Sequence, residues 1–411
     1  MISNSNLSLK YFFYIILSLF LSFLIVKFSQ DKSSWFALWG IFKIPKMWPA
    51  FADIDTIMRS VQCKQAGLNP YINNPCDING TLFQYPNFWL NIFEKLDIDN
   101  LENLKILIFI SLSFYFFGYI YVIDITKKIF NKFVLVLLYF STSSLLLIER
   151  GNIDHLIFIF CLSTMLSKNY YFEAIIISFN SYLKIFPFFN FIYLFKKNFY
   201  LTLIITIIIL LLIFIFSESV STYPIPNDST NNMFLAMPQS FGALTIIEGF
   251  FKILEKKYFY FINFETKTLL RIIFVFIFLF ISLVTFLVGS KQNFNFRHKI
   301  TDNYVKLFII GSSIYVGRYI FLGQYDYSLV FLILTIPYIS RLDKLQNYSY
   351  SIILIIIFNS WLFDFIPLTL SHSLYSIFMY SLKIIIFLYL SYNLGKICGN
   401  LFLNFSFKKT F

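Results

Sequence analysis

Three short stretches carry side chains that can do chemistry in surroundings where such side chains are costly. The first is Ile148-Glu149-Arg150-Gly151-Asn152-Ile153-Asp154, at the joint between the apolar runs Asn131–Ile148 and Ile153–Leu166. Glu149, Arg150, Asn152 and Asp154 are too few for a soluble loop. They form a tight turn at a membrane face, or polar cargo carried partly into the bilayer, and charged groups there must pair or do a job. The plain reading is a hairpin turn with a Glu–Arg pair.

The second stretch is Trp48-Pro49-Ala50-Phe51-Ala52-Asp53-Ile54-Asp55. Its two carboxylates suit a metal or a sugar hydroxyl, and one aspartate suffices as a general base for an attacking hydroxyl. The structural reading makes Asp53 the N-cap of a helix through Asp55–Ala66. The third is Lys184, inside the apolar stretch Tyr170–Phe195. A lysine there calls for an anion or water, unless it snorkels to the surface. With Arg150 it is a candidate phosphate binder.

The elements that must position these residues are membrane helices. The chain has 411 residues, of which 58% are hydrophobic and only 13% charged. A soluble domain carries about 25% charged residues. Apolar runs of about 20 residues recur from end to end. The expected fold is an all-α polytopic integral membrane protein of about 10–12 transmembrane or re-entrant helices, with no separate soluble domain. Residues 1–411 read as one transmembrane domain. The net charge of +12 is explained by lysines anchoring loops, not by nucleic acid. Met1–Lys10 and Tyr11–Val26 lack a small-x-small cleavage site and read as a retained first span.

Further spans are expected at Leu104–Ile123, Phe133–Ile148, Ile153–Leu166, Tyr200–Phe216, Leu269–Val288, Val305–Leu322, Tyr327–Ile339, Ile352–Phe365 and Leu374–Leu390. Asn180, Lys184 and Pro187 interrupt Tyr170–Phe195 and point to two short segments, Phe172–Ser181 and Ile185–Phe195, dipping in and out. Residues 28–102 and 217–268 form two long loops. The second opens on Pro224-Ile225-Pro226-Asn227-Asp228, and its Phe241–Phe261 stretch suits an interfacial helix.

With the N-terminus in the cytoplasm and residues 170–195 returning to their starting side, one face collects Lys10, Lys127, Lys128, Lys132, Lys168, Lys196, Lys197, Lys291, Arg297, Lys299, Lys306, Arg341, Lys344, Lys396, Lys408 and Lys409. Its acids are Asp124, Asp302 and Asp343. That bias favours this orientation, with both termini cytoplasmic in a plasma membrane of bacterial type. Both long loops, the joint, Lys184, residues 323–326 and Asp364–His372 then face outward. If the first loop meets an oxidising compartment, Cys63–Cys76 is a plausible disulfide; two buried free thiols is the other reading.

Supporting polar groups come next. Ala66-Gly67-Leu68-Asn69-Pro70-Tyr71, Asn74-Pro75-Cys76-Asp77 and Phe83-Gln84-Tyr85-Pro86 are shaped turns, or a wall with Tyr85 among its donors. Asp326, in Gly323-Gln324-Tyr325-Asp326-Tyr327, is a turn acid or a further wall of the same site, and Arg318 is near enough in sequence to reach the interface. His372, near Asp364, could relay a proton. No zinc spacing, P-loop or GxGxxG is present; a divalent metal is compatible with the acids but not required.

Taken in order, Phe51-Ala52-Asp53, Gly67-Leu68-Asn69-Pro70-Tyr71 with Asn74-Pro75-Cys76-Asp77 and Gln84-Tyr85-Pro86, Glu149-Arg150-Gly151-Asn152-Ile153-Asp154, Tyr182-Leu183-Lys184-Ile185-Phe186-Pro187 and Tyr325-Asp326-Tyr327 resemble the GT-C membrane glycosyltransferases, specifically the glycosyltransferase 87 family. The resemblance implies sugar transfer, with inversion, from a polyprenyl-phosphate donor to a lipid or glycan acceptor on the outer face, as in mannosyltransferase-like members. It maps the family's general base onto Asp53, with Asp55 as the neighbouring candidate, and its cationic elements onto Arg150 and Lys184. Glu149 would orient Arg150, while Asn152, Asp154, Tyr85, Asp55 and Asp326 would hold donor phosphate or sugar. Lys184 and Arg150 would neutralise the leaving phosphate as Asp53 deprotonates the acceptor. The alternatives are a carrier or flippase for a lipid-linked saccharide or another anionic substrate, and a non-catalytic membrane assembly subunit.

Overall fold

The computed structural model describes residues 4–78, 80–195, 197–216, 240–258, 264–292, 302–321, 324–360 and 372–398. Pro224–Asp228, Gly323, Asp364, Arg297, Lys299, Lys408 and Lys409, all used in the sequence reading, lie outside them, as does most of the second long loop. The chain is an all-α membrane protein. Its helices are α1 (Asn4–Phe28), α2 (Lys32–Ile41), α3 (Ala52–Gln65), α4 (Asn87–Lys95), α5 (Leu101–Ile125), α6 (Ile129–Tyr139), α7 (Thr142–Arg150), α8 (Asp154–Ser163), α9 (Tyr170–Leu183), α10 (Phe191–Phe195) and α11 (Phe199–Phe216). They continue with α12 (Ala243–Tyr258), α13 (Phe264–Ser290), α14 (Asn303–Phe321), α15 (Ile336–Ile339), α16 (Lys344–Phe358) and α17 (His372–Cys398). Short β1 (Ser240–Phe241) and β2 (Gln324–Tyr325) pair antiparallel, Ser240 opposite Tyr325.

The lipid-facing surface is explicit. On α1, Phe12, Phe20 and Phe23 are 60%, 54% and 57% exposed, and on α13, Phe276 and Phe280 are 63% and 66% exposed. Such continuous apolar surface is stable only when lipid covers it. Among the described residues four helices are long and apolar enough to cross a bilayer, or five if the bent pair α6–α7 is one span. That bend is 46°. It falls where Ser141 turns its side chain to cap Ser144 N–H, restarting the helix.

The four or five spans among the described residues are fewer than the about 10–12 helices expected to span or re-enter, and two of the expected spans are shorter apolar helices. Tyr327–Ile339 is not an ordinary membrane helix but a 3-10 run, Asp326–Thr335, continued by α15. Residues 328–340 are all buried, packed against α14, α7 and α16. The 3-10 geometry rises about 2.0 Å per residue, so ten residues reach as deep as a longer α-helix would. Ile153–Leu166 is likewise a short apolar helix, ending in a 3-10 turn at Thr164–Leu166.

Residues 170–195 break as expected. Asn169 caps α9, the helix stops at Lys184, whose backbone is extended, and a 3-10 turn with Pro187 in its first positions leads into α10. Proline fits there because that backbone position needs no donor. The segment is a hairpin. Glu173, near its start, accepts from Tyr193 at 3.2 Å and is paired with Lys197 beyond its end. Lys184 stands at the opposite tip.

Cross-links between elements sort into two ends of the bundle. At one, Lys10 pairs with Asp124, Lys128 Nζ donates to the Leu342 carbonyl (3.1 Å), Asn131 and Asn347 exchange side-chain bonds (2.7 and 3.0 Å), and Arg341 meets Asp302 at 2.6 Å. Lys306 belongs there too. It is buried, 2.6 Å from Glu173, and donates to the carbonyls of Thr164 and Ser167. At the other end, Met47 N–H donates to Glu149 (2.7 Å), Trp89 Nε1 to the Leu183 carbonyl (3.0 Å) and Thr142 Oγ1 to the Phe358 carbonyl (3.0 Å).

Cys63 and Cys76 are joined in a disulfide that ties α3 to the turn-rich loop after it, while Cys161 and Cys398 are buried and outside any disulfide. Denatured, unreduced protein should therefore bind two equivalents of a thiol reagent, out of the four cysteines in the sequence. Reduction should raise that to four, and removing the bridge by Cys63→Ser with Cys76→Ser should destabilise the fold by about 3 kcal/mol, measured by thermal melting in detergent.

Candidate functional site

The joint is a helix stop built for close approach. Gly151 ends α7 in the left-handed conformation (φ 59°, ψ 32°), its N–H donating to Ile148 O and that of Asn152 to Leu147 O. A Cβ on Gly151 would lie 2.8 Å from Cβ of Phe51. Phe51 is itself left-handed, at φ 59° and ψ 45°, an uncommon state for a bulky residue. Two left-handed residues in contact thus press the joint against the first turn of α3. Asp53 is in that turn but is not the cap: the helix starts at Ala52 after Phe51, with no side-chain cap bond. The N-cap reading of Asp53 is corrected on that ground, and its carboxylate is left for other partners.

Its partner is Asn152. The Asn152 carbonyl oxygen accepts from the backbone N–H of Asp154 (3.0 Å), which fixes the amide. Its nitrogen then donates to Asp53 Oδ2 at 2.5 Å and to the Tyr327 hydroxyl at 3.2 Å, and its oxygen also lies 3.4 Å from Lys184 Nζ. One buried amide thus spans a carboxylate on one side and an ammonium on the other.

Asp154 is wholly buried and holds Lys184 at 2.6 Å, Arg318 at 3.1 Å and the Ser328 hydroxyl at 2.9 Å. The Arg318 guanidinium lies 3.8 Å from the centre of the Phe186 ring, so the hairpin tip and α14 close on the same acid. Glu149, also buried, accepts from Met47 N–H and sits 3.1 Å from Arg150 Nε.

Members of the cluster differ in access. Glu149, Asn152, Asp154 and Arg318 are closed off; Asp53, Tyr85, Arg150, Lys184, Tyr325 and Tyr327 are half-buried. Arg150 uses only Nε on Glu149, and its terminal nitrogens make no hydrogen bond to the described residues. The second oxygen of Asp53 is likewise without a bond to them. Desolvation pushes the Asp53 carboxyl up from the ordinary aspartate range; the charge of Arg150, the Asn152 bond and the charge of Lys184 pull it back down.

Of the residues singled out from the sequence, Asp53, Glu149, Arg150, Asn152, Asp154, Lys184 and Tyr85 come together. Tyr85 has its ring 5.8 Å from Lys184 Nζ and its backbone carbonyl held by Tyr71 OH. Asp55 does not join them: it turns to Arg59 one helical turn on, at 3.4 Å. Asp326 also points away, into a buried pair with Lys383 at 2.8 Å. Tyr327 and Ser328 were not among the expected site residues. Proximity in sequence gives Arg318 only its reach, whereas a charge inside the apolar run Val305–Leu322 is the signal of a buried partner. Among the described residues no three His, Cys, Asp or Glu side chains gather to hold a metal ion.

Gly151→Ala places a Cβ against Phe51 in a conformation that disfavours one. It should cost about 1–2 kcal/mol or more by detergent thermal melting and disturb every property that needs Asp53 beside Asn152.

No protein-family model matches the chain, and no curated protein or solved structure matches it significantly.

Proposed function

We propose that the chain is a membrane glycosyltransferase that moves a sugar from a polyprenyl-phosphate donor to a lipid or glycan acceptor at the outer membrane face, with inversion. One observation carries the reading. Asn152 joins the half-buried carboxylate of Asp53 to the half-buried ammonium of Lys184, with Arg150 two residues away on the same joint. A lipid phosphate arrives at the level of the hairpin tip, where Lys184 and Arg150 can neutralise it as the glycosidic bond breaks. The free oxygen of Asp53 can accept the proton of the acceptor hydroxyl as that oxygen attacks the anomeric carbon from the face opposite the phosphate. The sugar then leaves the phosphate with its configuration inverted, and Asp53 carries the proton.

Sidedness has its own support. The Cys63–Cys76 disulfide suits an oxidising compartment, and it ties α3, which carries Asp53 in its first turn, to the loop that follows. The opposite end bears the anchoring lysines, as expected of a cytoplasmic face.

Purified protein incubated with polyprenyl-phosphate sugars should release polyprenyl phosphate. Asp53→Asn should keep donor binding and lower turnover by about 10²–10⁴, the usual worth of a general base. A mutant as active as the parent would sink the assignment. A protein that binds donor without ever releasing polyprenyl phosphate, yet moves the intact lipid between leaflets of a vesicle, would be a carrier.

The pH profile follows from sign. Asp53 works ionised, and its carboxyl is raised, so the acid limb of kcat/KM should fall above the ordinary aspartate value of about 3.9. Arg150 lowers that carboxyl, so Arg150→Met should move the limb further toward alkaline pH while raising KM for the donor.

A further inference from the structure

We propose that Tyr325 and Tyr327 form the platform on which the transferred sugar rests, and that the buried Asp326–Lys383 pair is the latch that turns both rings toward Asp53. The inference rests on the transferase reading for its substrate but on separate residues for its argument.

The backbone at Tyr325 is extended (φ −73°, ψ 154°), and the 3-10 run begins at the next residue, Asp326. Asp326 goes inward. It meets Lys383 of α17 at 2.8 and 3.0 Å and accepts from Ser360 at 2.5 Å, and both ends of the ion pair are closed to solvent. Lys383 Nζ also donates to the Ser240 carbonyl at 3.0 Å, in the strand that pairs with β2, so α17, β1 and β2 fix one short element.

The Tyr325 and Tyr327 rings lie together on the side of the joint. Their rings are 5.9 Å apart and inclined by 29°, and both remain half-buried. The Tyr327 hydroxyl is bound by the Asn152 nitrogen that also holds Asp53, and Tyr325 lies in the field of Arg150 and Asp53. Two nearly parallel aromatic faces beside a carboxylate are suited to a pyranose, which offers a face of C–H bonds and a rim of hydroxyls. The rings take the first, and the half-buried Asp53 and Tyr85 flank the second. A bare lipid phosphate would use the cations and ignore the rings.

The test compares polyprenyl phosphate with polyprenyl-phosphate mannose and polyprenyl-phosphate glucose by calorimetric titration of the full chain in detergent. At least one sugar-bearing lipid should bind roughly tenfold more tightly than the bare phosphate, the order expected for an aromatic contact. Tyr325→Ala and Tyr327→Ala should each remove most of that advantage without weakening the bare phosphate, whereas Tyr325→Phe and Tyr327→Phe should keep it. Lys383→Met should lose the advantage although Lys383 touches no ligand, and adding Asp326→Asn should restore the melting temperature, since a buried pair replaced on both sides leaves no orphaned charge. An advantage that survives both alanine variants, or no advantage for either sugar, overturns the proposal. An advantage that is present and ring-dependent in a protein that never releases polyprenyl phosphate upholds the platform and overturns the transferase.

Discussion

Asp154 is the charge around which this end of the molecule is assembled. It is fully buried, and it draws in Lys184 from the hairpin tip, Arg318 from α14 and Ser328 from the 3-10 run. A lone buried carboxylate would be prohibitive, and so would either cation alone; together they make three separate elements converge. Its backbone N–H then sets the Asn152 amide, and that amide sets Asp53. The position of the half-buried carboxylate thus depends on a second carboxylate that solvent does not reach.

The same strategy recurs at the opposite end. Glu173 holds Lys306 and Lys197, and Lys306 also satisfies two carbonyls left over where α8 ends. The apolar surface is generic and faces lipid; specificity of packing comes from a few ionic junctions. Gains per junction are modest where desolvation opposes attraction, so their value is in orienting helices whose apolar faces could otherwise slide past one another.

How much of this was legible in the sequence follows from what each residue does alone. The joint stood out because four polar side chains interrupt apolar runs, and Lys184 because a lysine and a proline break a membrane segment. The hairpin followed from the same residues together with the charge bias. Asp326 looks equivalent to the other acids because the sequence does not say which way its side chain points; pairing with Lys383, fifty-seven positions later, turns it inward. Lys306 has the sequence signature of a surface anchor, yet it is buried, because its acid partner Glu173 sits on another helix. The 3-10 run has the hydropathy of an ordinary span, since hydropathy does not register helical pitch. Asp53 and Asp55 were indistinguishable by type; Arg59, one turn after Asp55, separates them.

The hairpin has a mechanical consequence. α9 is 14 residues long, about 21 Å at the usual rise, and its base is clamped through Glu173 while its tip carries Lys184. The helix is a strut of fixed length, and the depth of the ammonium in the bilayer is counted out in residues from the clamp. Adding or removing a single residue would displace the tip by about 1.5 Å and swing it by about 100°, taking Lys184 off Asp154 altogether. Sequence can drift along the lipid-facing side of α9, but its length cannot.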